Sequence, residues 1–209
     1  MRKIQLHRYL SLDGRAEFPQ YPGWDDLGPE ARRNFAEMWS DHYAATDTII
    51  LGRRAYEGAA AFWPYANRKP GEPRFFLDHR RFMDRCVKAV FSHDMTQANW
   101  EKTRILKGDV GTAVSQLRRE PGKNMIVMGG PSIAQAFMKR GLIDEYFLTV
   151  YPTLLGEGKP FFCDLSEAQT LRLVGINRYK FGEVVLTYET LRGKAVDGSA
   201  ESPSTSRNR

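Results

Sequence analysis

With 209 residues, 42% of them hydrophobic and 12% aromatic, the chain has the length and composition of one well-cored soluble domain with a tail. Its net charge of +6 raises nucleic acid as a partner, but the basic residues are scattered in pairs such as Arg32-Arg33, Arg53-Arg54 and Arg118-Arg119, with no stripe interleaved with aromatics, so a nucleic-acid platform is set aside. No apolar run is long enough for a membrane span and the N-terminus enters a strand pattern directly, so no membrane partner and a cytoplasmic location are expected.

In chain order, strands and helices alternate. Ile4 to Leu10 reads as a strand that turns out through Ser11-Leu12-Asp13-Gly14. A loop rich in Pro, Gly and aromatics follows from Arg15 to Pro29, long enough to suggest a ligand cover. Helical spacing resumes at Phe35, Met38, Trp39 and His42, and Thr48 to Leu51 is a short buried strand that stops at Gly52-Arg53-Arg54. AYEGAAAFW is a helix closed by Pro64, Phe75 to Met83 fits either a strand or a short helix, and Val87 to Phe91 is a strand ending at Ser92-His93. A strand at Arg104 to Leu106 precedes a helix marked by Val110, Ala113, Val114 and Leu117. Cys86 and Cys163 have neither disulfide-framework nor zinc spacing and read as small buried residues.

Met125 to Met128 is a continuous apolar run, which suits a central strand covered on both faces. It stops at Gly129-Gly130, and Pro131, Ile133, Ala136 and Phe137 then give a helix that Gly141 ends. Tyr146 to Val150 is a further strand, and Leu171 to Asn177 with Glu183 to Thr190 form an antiparallel hairpin. The expected fold is α/β, a mixed and mostly parallel sheet flanked by helices with a C-terminal hairpin. Residues 1–191 form the domain and 192–209 a disordered tail.

Three strand ends share one chemistry: Gly52-Arg53-Arg54, Ser92-His93 and Gly129-Gly130. Ligands of parallel sheets sit at the carboxyl ends of the strands, where helix N-termini and arginines favour phosphates. The three ends together would make a dinucleotide-sized cleft. The pattern is neither the GxGxxG nor the P-loop fingerprint.

SLDG at 11–14, LGRRAYE at 51–57, VFS at 90–92, LKGDV at 106–110 and the long stretch from Val127 to Phe162 resemble the dihydrofolate reductase superfamily. The branch is that of the C-terminal reductase domain of the riboflavin biosynthesis protein RibD, over about Lys3 to Glu189. The resemblance implies an NADPH-dependent reductase acting on a small heterocyclic substrate. By position it implies Gly52, Arg53 and Arg54 at the 2′-phosphate and pyrophosphate, and Ser92 and His93 on the adenosine side. It puts Gly129, Gly130, Ser132 and Ile133 at the glycine turn, where the family often has a cis Gly-Gly bond, and backbone near Tyr9 and Ala16 at the nicotinamide carboxamide. A homodimer also follows from the family, with Pro160-Phe161-Phe162 as an apolar stretch to support it.

The chain departs from the family pattern in two places. Dihydrofolate reductases carry a carboxylic acid on the first helix where this chain has Ala36. Glu37 is the nearest acid, and 100° per residue turns it away from the Phe35, Met38, Trp39, His42 stripe. Riboflavin-pathway reductases often have a lysine where this chain has His7. Asp13 suits either a substrate hydroxyl or the turn itself, and with Glu37 it completes the candidate catalytic acids. Trp24, Asp25 and Thr149 are candidates for substrate contact, while His7 and His42 read as buried, satisfied histidines. The expected reaction is hydride transfer from NADPH to a C=N or C=O bond of a flat heterocycle or related small molecule, a pyrimidine- or pteridine-like substrate. A dihydrofolate-type reductase and a non-catalytic NADP-binding regulator are the competing readings.

Overall fold

The computed structural model describes residues 1–16, 29–165 and 167–192, excluding the side chains of 29–32, 34 and 35. Trp24, Asp25 and all but the first residue of the tail lie outside the described residues. Among the described residues eight strands form one sheet: β1 (Ile4–Ser11), β2 (Thr46–Gly52), β3 (Val87–Phe91), β4 (Thr103–Leu106), β5 (Asn124–Val127), β6 (Glu145–Tyr151), β7 (Leu171–Arg178) and β8 (Val184–Thr190), in the order β4-β3-β2-β5-β1-β6-β8-β7. From β4 to β6 neighbouring strands are parallel. β8 and β7 add antiparallel, giving the mixed sheet expected.

β5 lies between β2 and β1, and its Met125, Ile126 and Val127 are fully buried. A short, wholly apolar strand fits this place because both its edges are paired and both its faces covered. Successive side chains go to opposite faces. Ile50, Met125 and Val127 therefore enter one core with Phe137 and Leu117, while Ile49, Leu51 and Ile126 enter another with Trp39 and Phe82. Each such buried aliphatic residue contributes about 1.5–3 kcal/mol.

Among the described residues five α-helices flank the sheet: α1 (Pro29–Ala45), α2 (Arg53–Phe62), α3 (Arg74–Arg85), α4 (Val110–Arg119) and α5 (Pro131–Met138). The ambiguous segment at 75–83 is helical, since Phe75, Phe76, His79, Phe82 and Met83 bury one stripe at helical spacing. α5 starts with Pro131 in its first turn, buries Ile133, Ala134, Phe137 and Met138, and ends at Gly141, whose positive φ of 59° suits glycine. Asp109 caps α4 by accepting from the Thr112 amide at 2.9 Å.

The parallel register brings the important ends together. Gly52 is level with Phe91, Phe91 with Leu106, and Ile50 with Val127. The chain therefore leaves β2, β3, β4 and β5 along one edge of the sheet.

Candidate functional site

A cavity of about 780 Å³ opens at that edge, lined among others by Gly52, Arg53, Arg54, Ser92, His93 and Gly130, with Ser132 and Ile133 behind them. Two helices begin in it. α2 starts directly after Gly52 and α5 after Gly130, and neither N-terminus has a side-chain cap or an acid in its first turn. Their first backbone N–H groups and positive dipole ends are thus left for an anionic ligand. Arg53 and Arg54 add two cations, against Asp94 as the one acid in the lining. Arg53 is half exposed and reaches Glu57 at 3.7 Å, a weak surface pair that leaves its guanidinium available. The Ser92 hydroxyl accepts from the Met95 amide at 3.1 Å and fixes the turn after β3.

Gly129 is buried just behind this wall. A Cβ there would stand 2.2 Å from Ile133 Cγ2 and 3.1 Å from the Gly52 amide nitrogen, so the β5 turn packs directly on the start of α2. Gly130 has open space around its Cα. The Gly129-Gly130 peptide is trans, in contrast to the cis bond that the resemblance implies.

Two further cavities adjoin it through shared lining residues. Arg54 and Ala55 also line an apolar space of about 520 Å³ walled by Trp39, Phe62, Trp63, His79 and Met128. Tyr9, Trp39 and Met128 in turn border an inner chamber of about 170 Å³ that His7, Arg8 and Ala16 complete. Tyr9 and Ala16 therefore meet in one place, as expected. A separate cavity of about 760 Å³ beside Arg81, Arg85 and Trp100 shares no residue with these three. It lacks strand ends and open helix N-termini, so its size does not make it the better candidate.

Trp39 organises the inner wall. Its indole N–H donates to the Tyr9 hydroxyl at 2.9 Å, and its ring lies 4.5 Å from His7, 5.3 Å from His42 and 4.7 Å from His79. Burial holds all three imidazoles neutral: His42 is brought down to about 4, His79 to about 3, and His7 well below its usual value, with the other two histidines and Arg8 adding repulsion at His7. The Tyr43 hydroxyl sits 3.2 Å from His79 Nδ1. His7 is buried as expected but not satisfied, because its Nδ1 has no hydrogen-bond partner among the described residues.

The remaining candidates lie elsewhere. The Asp13 carboxylate accepts from the Ser11 hydroxyl at 2.6 Å and from the Leu155 and Gly156 amides at 3.2 and 2.9 Å, which ties the turn after β1 to the 154–158 loop. These donors hold its pKa well below the carboxylate range, which suits a structural anion better than a proton donor. Glu37 is exposed on α1 and lines none of the three connected cavities. Thr149 is fully buried, with its hydroxyl 3.9 Å from Met38 Sδ, and it also lines none of them. Cys163 is half-buried where a buried residue was expected. Sequence reasoning did not single out Arg8 or Trp39 as wall residues, or Arg54 as the joint between two cavities.

The RibD C-terminal domain model matches residues 2–186. The chain belongs to the RibD C-terminal domain family. Among its relatives are the uncharacterized proteins YyaP and YwjB of Bacillus subtilis strain 168. YyaP is 27% identical over 90% of this chain and 94% of its own length, and YwjB 30% identical over 88% and 95%. The riboflavin biosynthesis protein RibD of Escherichia coli K12 is 25% identical over 87% of this chain but only 56% of its own length, so the chain spans about half of that protein.

Solved structures share the fold. A putative riboflavin biosynthesis protein from Shewanella sp. PV-4 superposes with a TM-score of 0.64 at 20% identity, covering 91% of this chain and 99% of its own. A Thermotoga maritima diaminohydroxyphosphoribosylaminopyrimidine deaminase/5-amino-6-(5-phosphoribosylamino)uracil reductase gives 0.58 at 15% identity over 91% of this chain and 57% of its own. Family and fold thus agree: the family model covers nearly the whole chain, and both solved structures share its architecture.

Proposed function

We propose that this protein is an NADPH-dependent reductase that delivers a hydride to a C=N or C=O bond of a small pyrimidine- or pteridine-like substrate, in its ring or in a sugar attached to it. The observation that carries the reading is a set of three cavities with shared lining residues: the first holds two uncapped helix N-termini with Arg53 and Arg54, the second shares Arg54 and Ala55 with it, and the third, walled by Tyr9, Ala16 and Trp39, shares Tyr9, Trp39 and Met128 with the second. The residues fit the dinucleotide: open N–H groups and guanidinium for the phosphates, Ser92 and His93 for the adenosine side, and the β1 backbone near Tyr9 and Ala16 for the carboxamide. When bound, NADPH supplies the hydride. Gly129 keeps the turn close to the sheet edge, and Trp39, Met128 and Tyr9 give the chamber an apolar wall. No carboxylate lines the chamber among the described residues, and burial keeps His7 and Tyr9 neutral there, so the proton is assigned to a water molecule.

A homodimer belongs to the same proposal. Of Pro160-Phe161-Phe162, Phe161 is 1% exposed and packs inward, which leaves Pro160 and Phe162 as its exposed apolar surface. The edge strand β7 adds a second such surface, with Leu173, Val174 and Ile176 roughly half exposed.

The turnover test uses NADPH with 5-amino-6-(5-phosphoribosylamino)uracil and, in parallel, with 7,8-dihydropterin. Loss of the reduced-nicotinamide absorbance with either ring is the expected result. NADPH that binds but is oxidised with neither ring would favour a non-catalytic binder and contradict the reductase reading.

A further inference from the structure

We infer that Arg8 is a positioning residue for the cofactor: it holds the Gly129-Gly130 peptide with the Gly130 N–H turned toward the pyrophosphate. This rests on the reading of the cleft as a dinucleotide site. β1 and β5 pair in parallel with Leu6 level with Val127, so the register carries Arg8 to the height of Gly129, just past the end of β5. Strand alternation puts its side chain on the face of Leu6 and Leu10, whose core also contains Phe161. There Arg8 is half-buried, its guanidinium over the Phe161 ring at 5.0 Å from the centroid, and Nη1 donates to the Gly129 carbonyl at 2.9 Å. The platform is itself anchored, since the Phe161 amide donates to the Gly14 carbonyl at 2.9 Å and Asp13 accepts from the Leu155 and Gly156 amides of the same loop.

The effect of this contact falls on the other side of the peptide. The Gly129-Gly130 bond is trans, so the Gly129 C=O and the Gly130 N–H point in opposite directions. β1 lies on one side of β5, while β2, β3 and β4, whose ends carry the cavity of about 780 Å³, lie on the other. A carbonyl held on the β1 side therefore directs the Gly130 N–H toward that cavity, which Gly130 lines. This amide makes no hydrogen bond among the described residues, and Pro131 after it has no N–H, so Gly130 supplies the foremost donor at the start of α5. Glycine on both sides leaves the peptide little steric reason to keep one orientation. Turned over, it would present a carbonyl oxygen to an anion. Arg8 selects the orientation that presents the donor, and Phe161 and the turn at Asp13 act through it.

Calorimetric titration of the parent and of Arg8→Met with NADPH and with adenosine 2′-phosphate, which lacks the pyrophosphate, tests this. Arg8→Met is expected to weaken NADPH about tenfold, the worth of one hydrogen bond to a charged group, and to leave adenosine 2′-phosphate unchanged. In ligand-free protein carrying isotope-labelled glycine, the Gly130 amide resonance, identified by its loss in Gly130→Ala, should move in Arg8→Met. It should return near the parent position in Arg8→Lys, whose ammonium still donates to the carbonyl. Phe161→Leu should give the same pattern more weakly, and it carries the test if Arg8→Met does not fold. A loss shared by adenosine 2′-phosphate, or unchanged NADPH affinity in a folded variant, would overturn the inference. So would a loss with the Gly130 resonance unmoved, which would place Arg8 on the phosphates directly. Each of these leaves the reductase reading standing, whereas failure of the parent to bind NADPH would remove both.

Discussion

Gly129→Ala is expected to destabilise the fold by about 3 kcal/mol, while Gly130→Ala leaves stability within about 0.5 kcal/mol. The two residues are adjacent and both begin the turn into α5, yet their surroundings differ. At Gly129 the added methyl would overlap Ile133 Cγ2 at 2.2 Å and press on the Gly52 nitrogen and Leu51 Cα at 3.1 and 3.4 Å. Two of those contacts are backbone atoms of β2 and its end, so relief requires the β5 turn to lift off the sheet. At Gly130 nothing lies within 4 Å and φ is −61°, a conformation alanine adopts freely. The methyl instead projects where a phosphate would approach the backbone, so Gly130→Ala should weaken NADPH about tenfold without unfolding anything. Urea titrations of both variants, followed by NADPH binding to the stable one, separate the effects. Equal stability of the two would mean the Gly129 turn yields easily, and unchanged NADPH binding by Gly130→Ala would move the phosphates away from α5.

Arg80→Met should cost about 3–5 kcal/mol, the loss expected when one partner of a buried ion pair is removed. The Arg80 side chain is 1% exposed and grips Glu72 through two 2.7 Å hydrogen bonds. It also donates to the Phe62 carbonyl and lies over the Phe62 ring at 4.9 Å. It thereby ties the end of α2 and the 63–73 connection to α3, which supply Phe62, Trp63 and His79 to the apolar cavity. Its replacement leaves Glu72 as a buried, unpaired anion. The double variant Arg80→Met with Glu72→Met removes both charges and should recover most of the loss. Thermal unfolding of the single and double variants would contradict this account if both lost the same amount.

The fold was legible because its signals are local. An apolar run, a glycine pair and a proline within about eight residues define β5, its turn and the start of α5, and the same punctuation marks Gly52 and Ser92. Their meeting at one edge then follows from parallel register. Phe75 to Met83 resisted reading because Asp78, His79, Arg80 and Arg81 interrupt the apolar stripe, and the partners that let Arg80 be buried, Glu72 and Phe62, lie outside the segment. Asp13 could not be read as a loop anchor from its neighbours, since two of its donors lie more than 140 residues away. The same holds for Arg8, whose platform Phe161 is distant in sequence. Phe161 itself looked like surface because its burial depends on that tertiary contact.

The central claim is that the cleft at the ends of β2, β3 and β5 takes NADPH. Calorimetric titration of the protein and of Arg53→Met with NADPH and with NADH tests it most directly. The account predicts tight NADPH and weak NADH binding by the parent, and a loss of about 10- to 100-fold for NADPH alone in the variant, the worth of a charge-assisted bond to the 2′-phosphate. Equal affinity for the two cofactors, equal weakening of both, or no binding of either would contradict it.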